Sequence, residues 1–195
     1  MKRGDFLYRA GERASDCFVV RSGAYKTILL SGSGDEHVTG FHFPGDLLGM
    51  AAQATGSHRE SAIALETSTA CRMPLAEIPA LWRMGGGPSL LRLIGDSGQR
   101  SAEDHMNLSR TAADARVAGF LSALSRRMQR QGRDNRQLPL PMSRTDLANY
   151  LGMTLECLSR VLARFSAAGL VTAGRTHIDL EDAGELHALA GHIDF

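Results

Sequence analysis

The sequence predicts an α+β fold in three parts: an N-terminal antiparallel β-roll of the jelly-roll kind, a long dimerisation helix, and a C-terminal winged helix-turn-helix. Three observations predict it. Apolar residues alternate with period two in short segments from Phe6 to Phe43. Beyond Met73 the apolar period lengthens to that of a helix. Near the C-terminus two helical patterns flank a tight turn at Gly152, and a short hairpin pattern follows at Gly174. The parts are placed at residues 1–82, 83–110 and 111–195.

The strand assignment rests on Phe6, Tyr8, Phe18, Val20, Thr27, Leu29, His37, Thr39, Phe41 and Phe43, which recur at even spacing as half-buried strands require. Turn residues end each segment: Ala10-Gly11-Glu12, Ser22-Gly23, Ser31 to Asp35, and Pro44-Gly45-Asp46. Such short, regularly punctuated strands make a sandwich or roll.

A helix is expected from Ser89 to Asn107, with Leu90, Leu91, Ile94 and Met106 on one stripe. Gly95 and Gly98 interrupt it, each costing up to about 1 kcal/mol against Ala. The segment therefore needs a partner, either a second copy of the chain or the roll itself. Thr111-Ala-Ala-Asp114 has capping-box spacing and opens the run Val117, Phe120, Leu121, Leu124, Met128. Gly132 to Pro141 breaks that run, and Leu138 and Leu140 alternate around prolines like an edge strand.

In the stretch Ser143 to Gly169, Ser143 with Asp146 caps a helix that Gly152 stops, and Thr154 caps a second, longer one. On the second helix Leu155, Leu158, Leu162 and Phe165 are expected to form the buried stripe, which leaves Glu156, Ser159 and Arg160 on another face within the first two turns. That is the end of a helix that enters a major groove. Arg can donate two hydrogen bonds to guanine O6 and N7, Glu can accept one from cytosine N4, and a Ser hydroxyl can do either. Against this stands a plain ion pair between Glu156 and Arg160 on a solvated helix, worth about 0.2 to 0.5 kcal/mol. Arg144, Thr154, Arg164 and, at the tip of the following hairpin, Arg175 are the expected backbone-contacting residues. Asp182 to Ala190 reads as an acidic final helix.

Composition narrows the class. The 195 residues carry 22 basic and 21 acidic side chains and are 43% hydrophobic, which excludes a disordered tail protein. No apolar run approaches the roughly 20 residues that span a bilayer, and the charged N-terminus is unlike a signal peptide. No membrane association is expected, and the protein is placed in the cytoplasm. Between Arg126 and Arg175 nine arginines face three acids, a surplus suited to phosphate. Cys17, Cys71 and Cys157 are odd in number and form no CxxC, so no disulfide framework and no self-contained metal site is expected.

These residues resemble the FNR branch of the CRP/FNR superfamily of bacterial transcription regulators over essentially the whole chain. The resemblance is carried by Glu156-x-x-Ser159-Arg160 after Asn149-Tyr-Leu-Gly-Met-Thr154, and by Gly34-Asp-Glu-x-x-Thr-Gly-Phe-His-x-x-Gly45-Asp-Leu, Ala64-Leu-Glu-Thr-Ser68 and Leu124-Ser-Arg-Arg127. It implies a homodimer that reads palindromic TTGAT-type half-sites in double-stranded DNA through Glu156, Ser159 and Arg160. It further implies control of anaerobic or redox-responsive genes and contact with RNA polymerase through a roll loop containing Thr55, Ser57, His58 and Arg59.

Two departures qualify the resemblance. FNR carries an N-terminal cysteine cluster that, with one cysteine inside the roll, binds [4Fe-4S]; here the sequence opens at the first strand. A cluster is therefore expected only with a cysteine-bearing leader, in which case Cys71 is the candidate internal ligand; otherwise Cys71, like Cys17, reads as core. The Gly-Glu and Arg-Ser pairs typical of cyclic-AMP binders are replaced by Gly45-Asp46 and Ser61-Ala62. Without a matching Arg an anionic ligand is poorly held, which argues against cyclic AMP. Cys157, at the third position of the second helix where the dipole favours a reactive thiol, is a candidate redox residue.

Two other classes fit the sequence less well. A cupin-like metal enzyme needs a His-x-His pair with a further Glu and His, and Phe41-His42-Phe43 supplies one histidine that His37 and His58 do not complete. A ligand-binding adaptor whose winged helix contacts protein would show no preference among DNA sequences.

Overall fold

The computed structural model describes residues 1–191, which divide into two compact units, residues 1–100 and residues 101 onward. In the first unit seven strands alternate with the expected turns: β1 (Phe6–Tyr8), β2 (Asp16–Ser22), β3 (Tyr25–Leu30), β4 (Glu36–His42), β5 (Leu47–Leu48), β6 (Ser61–Ala64) and β7 (Thr69–Pro74). They form two antiparallel sheets, in the orders β1-β6-β3-β4 and β5-β2-β7. Tyr8, Val20, Tyr25, Leu48, Ala62 and Ala64 make the core between them, with Leu7, Phe18 and Ala70 packed against it. The alternation predicted this because a strand sends successive side chains to opposite faces.

After β7 the chain forms a short helix α1 (Ile78–Leu81), a wide turn at Trp82–Gly86, and then α2 (Gly87–Leu108). The expected single stripe on α2 is split. Leu90 is buried, whereas Leu91 is 55% and Ile94 38% exposed. Leu90 lies a full 100° of helix rotation from Leu91, so one can pack inward while its neighbour faces out.

The second unit is built on α3 (Ala113–Arg130), in which Val117, Phe120, Leu121, Leu124 and Met128 are all buried. The capping box expected at Thr111 is not formed. Ala112 occupies the N-cap without a side-chain bond, and the Asp114 carboxylate is instead ion-paired with Arg164. A charge-assisted bond to a guanidinium outweighs a neutral amide bond to the same oxygen. Gly119 is required where α2 meets α3: a Cβ there would lie 1.9 Å from Asn107 Oδ1, and the Asn107 amide donates to Arg116 O at 3.0 Å.

Around α3 lie β8 (Gln137–Pro139), α4 (Arg144–Tyr150), α5 (Leu155–Ala167), β9 (Val171–Ala173), β10 (His177–Leu180) and α6 (Ala183–Leu189). The small sheet has the order β8-β10-β9, so β8 is an edge strand, as Pro139 required.

Candidate nucleic-acid interface

Local chemistry sets the helix pair. Ser143 Oγ accepts from Asp146 N at 3.0 Å while the Asp146 carboxylate accepts from Ser143 N at 3.3 Å, a complete capping box. Gly152 takes the left-handed conformation, φ 62°, which ends α4 at little steric cost. Thr154 Oγ1 then accepts from Cys157 N at 3.1 Å and starts α5. One contributor lay outside sequence reasoning: Arg116 of α3 donates to the carbonyls of Leu151 (2.8 Å) and Gly152 (3.1 Å) and holds the turn from behind. Only its arginine identity, 35 residues upstream, could have hinted at it.

The buried stripe of α5 is Leu158, Val161, Leu162 and Phe165. Leu155, expected in that stripe, is 46% exposed. It stands at the first helical position, ahead of the turns that pack on α3, α4 and β9. The opposite face carries Glu156, Ser159 and Arg160, all exposed. Arg160 Nη1 lies 3.5 Å from Glu156 Oε1, with side chains 65% and 79% exposed, and Ser159 Oγ donates to Leu155 O at 2.9 Å. A pair so solvated is weak and easily opened.

The expected backbone contacts divide. Thr154 and Arg175 are exposed. Arg164 is engaged by Asp114. Arg144 is half-buried, and its Nη2 donates to Gly174 O at 2.8 Å, so it faces the wing instead of solvent. The wing itself is the β9–β10 hairpin, in register Ala173↔Ile178 to Val171↔Leu180. Cys157 is half-buried, and its backbone N–H is taken by the Thr154 cap.

In the roll, Thr55 and Arg59 are exposed and Ser57 is half-buried, but His58 is buried and stacks on Tyr8 with ring centroids 3.9 Å apart. The surface role expected of His58 is corrected: apolar ring packing has drawn it inward, and burial depresses its pKa. Cys17 is fully buried, as its apolar run indicated, whereas Cys71, expected in the core, is exposed on β7. Among the described residues no three His, Cys, Asp or Glu side chains gather to hold a metal. One cysteine sealed in the core, one on a strand surface and one on α5 do not by themselves supply the four-thiolate set that a [4Fe-4S] cluster takes.

Cyclic AMP fits no better. Asp46 is buried, accepts from Phe43 N at 2.9 Å and pairs with Arg100 at 3.4 Å, while Ser61 Oγ accepts from Ala10 N at 2.9 Å. Both positions are spent on the protein's own groups. No helix among the described residues is long and apolar enough to cross a membrane.

Comparison with known proteins agrees with this geometry. Residues 1–83 match the cyclic nucleotide-binding domain model and residues 115–189 the Crp-like helix-turn-helix domain model. The transcriptional activator protein Anr of Pseudomonas aeruginosa is 38% identical over 98% of this chain and 79% of its own length. The chain belongs to the CRP/FNR family of transcription regulators. A second CRP/FNR relative, the fumarate and nitrate reduction regulatory protein of Salmonella typhi, is 37% identical over 98% of this chain and 78% of its own length. Among solved structures, FixK2 from Bradyrhizobium japonicum superposes with a TM-score of 0.85 at 26% identity, covering 99% of this chain and 96% of that one. TTHB099, a CRP-family regulator from Thermus thermophilus, superposes at 0.76 with 21% identity, which speaks for the fold alone. As a CRP/FNR protein the chain is a DNA-binding transcription regulator that acts as a dimer.

Proposed function

We propose that the dimer reads palindromic TTGAT-type half-sites, with Glu156, Ser159 and Arg160 of each protomer on base edges and Thr154 and Arg175 on phosphates, and that it regulates anaerobic or redox-responsive genes in the cytoplasm. The observation that carries this reading is the exposed Glu156–Ser159–Arg160 face on a helix capped by Thr154. The energies favour it. Opening the Glu156–Arg160 pair costs about 0.2 to 0.5 kcal/mol, whereas one bidentate contact to guanine discriminates by roughly 1 to 3 kcal/mol. Family relatives named for activation and for fumarate and nitrate reduction support the physiological part. Thr55, Ser57 and Arg59, without His58, are the residues offered to RNA polymerase.

The test is fluorescence anisotropy with a TTGAT-N4-ATCAA duplex against a scrambled one. Arg160→Ala and Glu156→Ala are each expected to reduce the preference by about tenfold or more, the equivalent of one lost base contact. Equal affinity for both duplexes in the unmodified protein would overturn the reading.

A further inference from the structure

We infer that Arg144 is a positioning residue for DNA binding: it ties the wing turn to the first helix of the motif and so sets where Arg175 presents its charge. The inference rests on the DNA-binding role proposed above for Arg175. It reassigns Arg144 from the phosphate contact that its place at the start of α4 suggested.

Arg144 Nη2 donates to Gly174 O at 2.8 Å across 30 residues of sequence. Its Nη1 is buried and without a hydrogen-bond partner. A guanidinium that grips phosphate bidentately presents two adjacent N–H donors; in this one Nη2 is committed to a backbone carbonyl and Nη1 is buried. A two-pronged phosphate contact through Nη1 and Nη2 would require it to release Gly174 O. Burial also lowers the Arg144 pKa, in keeping with a side chain packed inside the fold.

The wing turn has few other constraints. Gly174 N donates to His177 O at 3.0 Å and closes the hairpin. Leu140 N donates to Thr176 O at 2.8 Å on the far side. A Cβ on Gly174 would lie 2.8 Å from the His177 ring, so the turn is wedged between that imidazole and the Arg144 fork. Arg175, the exposed residue between Gly174 and Thr176, inherits its direction from these anchors.

Two measurements on the full chain test the proposal. Arg144→Met keeps the buried stem and removes the donors; Arg144→Ala is the second variant should Met perturb folding, checked by circular dichroism. In free protein, amide hydrogen exchange across residues 173–177 is expected to accelerate by about tenfold in the variant while α5 is unchanged, because a charge-assisted anchor has been lost. With the TTGAT duplex, Arg144→Met is expected to weaken binding by about tenfold in the wild-type background and less than about twofold in an Arg175→Ala background, the signature of residues acting through one another. Unchanged wing exchange, with an affinity loss that is the same in both backgrounds, would overturn the proposal and make Arg144 a direct phosphate ligand. If no form of the protein prefers the duplex, the base-reading proposal fails, while the exchange result still decides whether Arg144 holds the wing.

Discussion

Glu156 and Arg160 show how little a pair of charges says until its surroundings are known. Held at 3.5 Å and largely in water, they contribute almost nothing to stability and are available to a ligand. A half-buried carboxyl behaves in the opposite way. Glu60 accepts from Thr39 Oγ1 at 2.8 Å, yet burial raises its pKa above the ordinary 4.5. A carboxyl so raised keeps its proton longer in the fold than in the unfolded chain. Its contribution is therefore intact below pH 4.5 and is lost as pH rises through the raised value. Glu60→Gln keeps an acceptor for Thr39 without the charge, so thermal midpoints measured from pH 4 to 7 should show a flatter decline and a higher value at neutral pH. Wild-type-like pH dependence in the variant would refute this assignment.

Among the elements, the helices obey rules of different reach. The Ser143–Asp146 box, the Thr154 cap and the Gly152 turn are each closed within about four residues and were legible from the sequence, as was the Val117 to Met128 face. The Thr111 cap was not, because its Asp114 found Arg164, 50 residues away. The α5 stripe was legible except at its first residue, since periodicity does not say where a packing partner begins. Where α2 meets α3 the decisive feature is an absence of atoms at Gly119. Gly119→Ala would press a methyl group to 1.9 Å from Asn107 Oδ1, forcing that amide off the Arg116 carbonyl. Such overpacking costs about 1 to 3 kcal/mol, measurable as a lower urea midpoint at constant m-value.

For the molecule as a whole, a net charge of +1 conceals a basic middle and an acidic end, and DNA affinity should fall steeply with salt as phosphate contacts release counterions. Arg175→Ala should reduce the slope of log K against log salt by about one per protomer, with sequence preference retained; an unchanged slope would remove Arg175 from the interface. Dimerisation places a second demand on the chain. Leu91 and Ile94 present exposed apolar surface on α2, and a second copy is what would cover it. Leu91→Asp with Ile94→Asp should shift sedimentation toward monomer and weaken duplex binding together, because each half-site would then be bound alone.

What the amino-acid order settled was short-ranged: strand alternation, the Ser143 and Thr154 caps, the Gly152 turn and the side chains left exposed on α5. These follow from backbone sterics and hydrogen bonds between near neighbours, which any stretch of chain carries with it. Folding alone assigned the rest. It buried His58 against Tyr8, exposed Cys71, drew Arg164 to Asp114 and gave Arg144 to the wing. The burial of His58 and the two arginine contacts each depend on a partner dozens of residues away, and a competition between water and a distant group is decided only when the core brings the two within reach.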